Sequence, residues 1–120
     1  MRAMAVIACL SVAVPAAAAP TVPEAFQGEW RAELKDCGST TDDSRLFIEP
    51  GQVWFWESSG PVLSVEVHSP REATFVVRLE GEGEAWDDRL RYRLSEDGQS
   101  LADVSGGEVE PFVRSRCPAR

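Results

Sequence analysis

Arg89-Leu90-Arg91-Tyr92-Arg93-Leu94, followed by Ser95-Glu96-Asp97-Gly98-Gln99-Ser100 and Leu101, decides the fold. Apolar residues fall at every second position with arginines between them. Side chains alternate across a β-strand, so this period of two puts Leu90, Tyr92 and Leu94 on a greasy face and the arginines on a wet one. Asp97-Gly98 then suits a two-residue hairpin turn, which needs positive φ at its centre and pairs Leu94 with Leu101. Working upstream, Phe75, Val77 and Leu79 oppose Thr74, Val76 and Arg78, and Leu63, Val65 and Val67 oppose Ser64, Glu66 and His68. Downstream, a turn at Gly106-Gly107 sets Leu101 opposite Phe112. No stretch keeps helical spacing for three turns. Strands are expected over Glu29–Lys35, Arg45–Glu49, Gln52–Glu57, Val62–His68, Ala73–Glu80, Arg89–Ser95, Ser100–Val104 and Val109–Arg116. About eight short strands at this spacing predict an all-β chain, an antiparallel meander closed as a small barrel, with a β-sandwich as the alternative.

Val53-Trp54-Phe55-Trp56 carries large apolar groups on both faces. A two-residue turn at Pro50-Gly51 pairs Phe55 with Leu46 and Val53 with Ile48, leaving Trp54 beside Phe47 and Trp56 beside Arg45. Across the following hairpin, a two- or four-residue loop sets Trp56 against Leu63 and turns both tryptophans inward, as aromatic packing in a small core favours. A three-residue loop turns both outward. A one-residue slip flips every side chain, so the alternation alone leaves the choice open. Turned outward, Phe47, Trp54 and Trp56, with Arg45, are the candidate binding residues, because a contiguous exposed apolar patch marks a contact site.

Residues 1–19 read as a cleaved signal peptide: Arg2, an apolar run from Ala3 to Val14, then small residues ending in Ala17-Ala18-Ala19. The run is too short to span a bilayer, so no stable membrane insertion is expected after cleavage. Residues 20–27 form a Pro-containing, mobile lead-in, and residues 28–120 one domain. The chain has 120 residues, with 20 acidic against 12 basic side chains and a net charge of −8. Losing Arg2 makes the mature protein more acidic still. Such a surface repels nucleic acid and anionic membranes, which need a basic footprint, and suits solubility or a cationic partner.

Cleavage also removes Cys9, leaving Cys37 and Cys117. An even pair in an exported domain is most simply a disulfide, and closing a loop of about 80 residues would contribute about 4 kcal/mol. The topology resists it. In a closed eight-stranded meander the last strand ends near Gly28, whereas a first strand running to Lys35 carries Cys37 to the far end, roughly 30 Å away. Either the strand count is odd, or a terminus folds back, or the pair is not bridged.

Gly28-Glu29-Trp30, preceded by Phe26, resembles the entry to the first strand of lipocalin-like, calycin-type barrels. That resemblance implies that Trp30 plugs one barrel end and packs against an arginine from a late strand, for which Arg114 and Arg116 are available. The export signal, compact barrel, early Gly-x-Trp and early cysteine also resemble small periplasmic inhibitors of proteases. In this chain the second cysteine falls at the C-terminus instead of soon after the first.

Chemistry has little footing. Gly81-Glu82-Gly83-Glu84-Ala85-Trp86-Asp87-Asp88 gathers carboxylates in a glycine-containing connection but matches no calcium-loop spacing, and reads as a solvated hairpin end. Arg89, Arg91 and Arg93 are expected to pair across strands with Glu80 or Asp103. His68, the only histidine, sits at a strand end. No nucleophile elbow, phosphate loop or zinc-protease motif occurs. No cofactor or metal is therefore expected. The expected function is that of a non-enzymatic binding protein, periplasmic or secreted, recognising a protein or a small apolar ligand. Inhibition of an exported hydrolase, of protease or lysozyme type and with residues 20–26 as a possible plug, is the alternative. Carboxylate-based catalysis comes last.

Overall fold

Eight strands account for the alternation: β1 (Gly28–Arg31), β2 (Leu46–Ile48), β3 (Gln52–Phe55), β4 (Ser59–Ser69), β5 (Glu72–Gly81), β6 (Glu84–Leu94), β7 (Ser100–Asp103) and β8 (Phe112–Arg116). The computed structural model describes residues 2–11, 19–107 and 110–119. Each strand pairs antiparallel with the next, and β8 returns to β1, so the sheet closes as a barrel and not a sandwich. The proposed cleavage site at Ala17-Ala18-Ala19 lies largely outside the described residues.

Turn chemistry set much of the register. Leu46, Phe47 and Ile48 pair with Phe55, Trp54 and Val53 about Pro50-Gly51, and Leu94 pairs with Leu101 about Asp97-Gly98. The inward positions fill with large side chains. Trp30, Leu46, Val53, Phe75, Val77 and Tyr92 are fully buried, and Phe75 stands between Phe26 and Tyr92 at ring distances of 5.6 and 6.0 Å. Burial raises the Tyr92 phenol far above its ordinary pKa, and among the described residues its hydroxyl has no hydrogen-bond partner.

Several expectations need correction. Between Val62 and Ser64 the ladder shifts by one residue, a β-bulge that ejects Leu63 (46% exposed) and puts Val62 in the core; Val67, farther along, is also exposed. Across the last hairpin, Leu101 pairs with Arg114 and Phe112 with Asp103, two residues off the expected register but with the same parity. β6 starts at Glu84 rather than Arg89, since a tight turn at Glu82-Gly83, both at positive φ, extends the β5–β6 ladder through the acidic stretch. The outward arginines find other partners: Arg89 binds Glu66, while Arg91 and Arg93 share Glu72.

The lead-in 20–27, expected to be mobile, is packed. Val22 and Phe26 are fully buried, the Val22 N–H donates to the Pro50 carbonyl at 2.8 Å, and Glu24–Phe26 form a 3-10 turn. Gly28 follows at φ 131, a conformation open to glycine, and turns the chain into β1. Trp30 then seals this end. The Arg116 guanidinium lies 4.2 Å from its ring, and that side chain donates to the carbonyls of Ala25 (2.5 Å), Gln27 (2.7 Å) and Gly98 (3.1 Å). Of the two arginines available, Arg116 thus stacks on the tryptophan. Arg114, buried farther along β8, donates to the Ser44 carbonyl and stacks on Phe112.

Cys37 and Cys117 are bridged, across a sequence separation of 80. The obstacle was the assumed length of strand one. β1 ends at Arg31, and the chain doubles back through a 3-10 turn at Leu34–Asp36, so that the Gly38 N–H reaches the Glu29 carboxylate at 2.9 Å. The Cys117 N–H donates to the Glu29 carbonyl at 2.8 Å, placing both cysteines beside one residue.

Removing the bridge with Cys37→Ala/Cys117→Ala should cost about 4 kcal/mol in urea unfolding, and the intact mass of the wild type should rise on reduction. Arg116→Ala should cost roughly 2–4 kcal/mol by the same measurement, with Arg116→Lys recovering only part, because an ammonium cannot fork to several carbonyls while lying flat on an indole.

Candidate functional site

One rung of the sheet crosses six strands on the outside of the barrel: Glu29, Phe47, Trp54, Ser59, Glu80 and Ala85 are successive register partners. Paired residues project to the same side, and the adjacent rung of Trp30, Leu46 and Phe55 faces the core. Phe47 and Trp54 therefore point outward.

The β3–β4 hairpin fixes Trp56. The Phe55 N–H donates to the Ser58 carbonyl at 2.7 Å, leaving Trp56-Glu57 as the two residues at the tip. Trp54 is 38% and Trp56 42% exposed, so neither tryptophan joins the core. Inward packing, argued from the preference of aromatics for small cores, fails because the Leu63 bulge breaks the parity that linked Trp56 to the inward face of β4. The tip lies close against β5. A Cβ at Gly60 would collide with the Arg78 carbonyl, and one at Gly81 with the Glu57 carbonyl.

Arg45 and Phe47 join the tryptophans from β2 and the turn before it. The Arg45 guanidinium lies 5.1 Å from the Phe47 ring, and Arg31 lies 5.8 Å from it. Arg31 is held immobile beneath the returning segment: it pairs with Glu29 at 2.8 Å and Asp42 at 3.3 Å and donates to the Ser39 carbonyl at 3.0 Å. Asp42 in turn accepts the Ser44 hydroxyl at 2.6 Å. That bond, with Arg31 beside it, holds the Asp42 carboxyl below its ordinary pKa. Phe47 thus rests on a buried polar network, not on a flexible loop.

Two depressions share walls on this face, and a third lies around the hairpin ends beside them. One of about 260 Å³ lies between Phe47, Glu49, Arg45 and Trp54. A second, of about 320 Å³, continues from Arg45 and Trp54 to Trp56, Glu57 and Glu80. A third, of about 240 Å³, starts at Glu57 and Ser58 and ends at Glu82, Glu84 and Trp86. At the other end, Phe47 and Glu49 also wall a cleft of about 380 Å³ against Gly28, Arg116 and the tail at Pro118. The structure brings all four predicted residues, Arg45, Phe47, Trp54 and Trp56, onto one outward track. Trp86, 38% exposed at the β5–β6 hairpin end, is the register partner of the buried Leu79 and so stands on the opposite side of the sheet from this track.

Among the described residues no ion pair reaches Glu49, Glu57, Glu80, Glu82 or Glu84. No group of three His, Cys, Asp or Glu side chains among them converges in metal-binding geometry, and no helix is long and apolar enough to cross a membrane. His68 bonds the Thr74 hydroxyl at 2.7 Å, away from the aromatic track.

In comparisons with protein families, curated proteins and solved structures, nothing matches this chain.

The Asp42 geometry carries a pH dependence. Because the folded carboxyl has the lower pKa, its contribution to stability is present in full above the unfolded value of about 4 and is lost as pH falls through the folded value. Asp42→Asn should lower stability at neutral pH and flatten the acid limb of a thermal-melt series below about pH 4.

Proposed function

We propose that the chain is exported and that its mature barrel is a non-enzymatic binding protein of the bacterial envelope, periplasmic or secreted, which recognises its partner on the outer face. The exposure of Trp54 and Trp56 on that face, in line with Arg45 and Phe47, carries this reading. Two indoles left half in water lose hydrophobic stabilisation that a core position would give, and a covering partner restores it. The inward positions already hold Phe75, Tyr92 and their neighbours, which favours surface recognition over a deep ligand cavity. The bridged Cys37–Cys117 pair supports an oxidising compartment. Arg116 stacked on Trp30 supports kinship with calycin-type barrels.

Inhibition of an exported hydrolase is the second reading, and the Trp56-Glu57 tip favours it, being an exposed hairpin end able to enter a cleft. Residues 22 and 26 are committed to the core, so a plug made of the N-terminal segment is not part of this proposal.

A pull-down from envelope extract with the mature protein, set beside a Trp54→Ala/Trp56→Ala variant of equal stability, tests the binding face. The double variant should lose its partner. Recovery of the same partner at equal yield would sink the proposal.

A further inference from the structure

The protein holds its own arginines by laying them on aromatic rings. Arg31 and Arg45 flank Phe47, Arg114 covers Phe112, and Arg116 covers Trp30, at 4.2 to 5.8 Å from the ring centres. Among the described residues no cation covers Trp54 or Trp56, although these indoles are exposed. Beside them Glu49, Glu57 and Glu80 have no ion-pair partner among the described residues. Indole faces and carboxylates are the two components of a cation receptor, one attracting through the ring quadrupole and the other through charge. Here both stand side by side along a track whose two depressions share Arg45 and Trp54.

Resting on the binding-face reading above, we infer that this track takes the guanidinium and ammonium groups of an extended cationic polypeptide segment of a partner protein. Charge complementarity picks that occupant: the chain carries a net charge of −8, and Glu49, Glu57 and Glu80 outnumber Arg45 along the two depressions. An uncharged chain would leave these carboxylates without compensation, and an acidic one would be repelled. Two adjoining shallow depressions fit an extended segment better than a compact ligand.

Calorimetric titration of the mature protein with an Arg-Ser repeat peptide tests this, with a Glu-Ser repeat and chitohexaose as the acidic and uncharged chains. The Arg-Ser peptide should bind, and its affinity should fall as salt rises. Trp54→Ala/Trp56→Ala should weaken it roughly tenfold, and Glu57→Gln/Glu80→Gln should weaken it by about threefold to tenfold and flatten the salt dependence. Circular dichroism and thermal melts confirm that each variant is folded. Failure of the Arg-Ser peptide to bind overturns the inference, as does binding unchanged in the tryptophan variant, which would mean diffuse attraction to an acidic surface. Tighter binding of chitohexaose or the Glu-Ser repeat also overturns it. If the peptide fails while the pull-down still loses its partner on tryptophan removal, the binding face stands and only its cationic specificity falls.

Discussion

The barrel depends on a short seam. β1 meets β8 through only two register pairs, Trp30 with Arg116 and Arg31 with Ser115, far too little ladder to hold a sheet shut. What closes it is a set of longer-range attachments around those residues. The Arg116 side chain ties β8 to the backbone before β1, the disulfide ties it to the segment after β1, and Arg114 ties it to Ser44. Each attachment comes from a residue of β8 or next to it. The seam is polar and covalent where the rest of the barrel is held by ladders and packing.

Seen from this seam, the protein is strongly lopsided. β4, β5 and β6 form a long, well-paired sheet, whereas β1, β2 and β3 have three or four residues each. The short strands carry the aromatic face, and the buried network of Glu29, Arg31 and Asp42 compensates for their small ladders by fixing the segment that covers them. A polar cluster of this kind is stable because nearly all its groups are satisfied, with the Glu29 carboxylate accepting both Arg31 and the Gly38 N–H.

Much of this was legible in the sequence, since alternation and turn chemistry are local. Leu90, Tyr92 and Leu94 declared their face, and Pro50-Gly51 and Asp97-Gly98 declared their registers. Other features have no local signature. Nothing about Leu63 distinguishes a bulged residue from an inward one, and that single residue decided the direction of Trp56. The end of β1 at Arg31 was hidden because residues 32–35 do not resist a strand; they turn because Glu29 and Cys117 draw the following residues back. The candidate site was accordingly legible as a set of residues, Arg45, Phe47, Trp54 and Trp56, but not as a face.

The Arg116–Trp30 contact also imposes an order of events. Trp30 belongs to the first strand and Arg116 to the last, so a chain that emerges with its N-terminus leading exposes an unsealed Trp30 until the final residues appear. Cys37 likewise waits for a partner 80 positions behind it, with no other cysteine in between. The barrel thus cannot be completed piecemeal. Its last few residues act as a latch, and a chain stalled or clipped short of Arg116 would keep its strands while losing the means to close them.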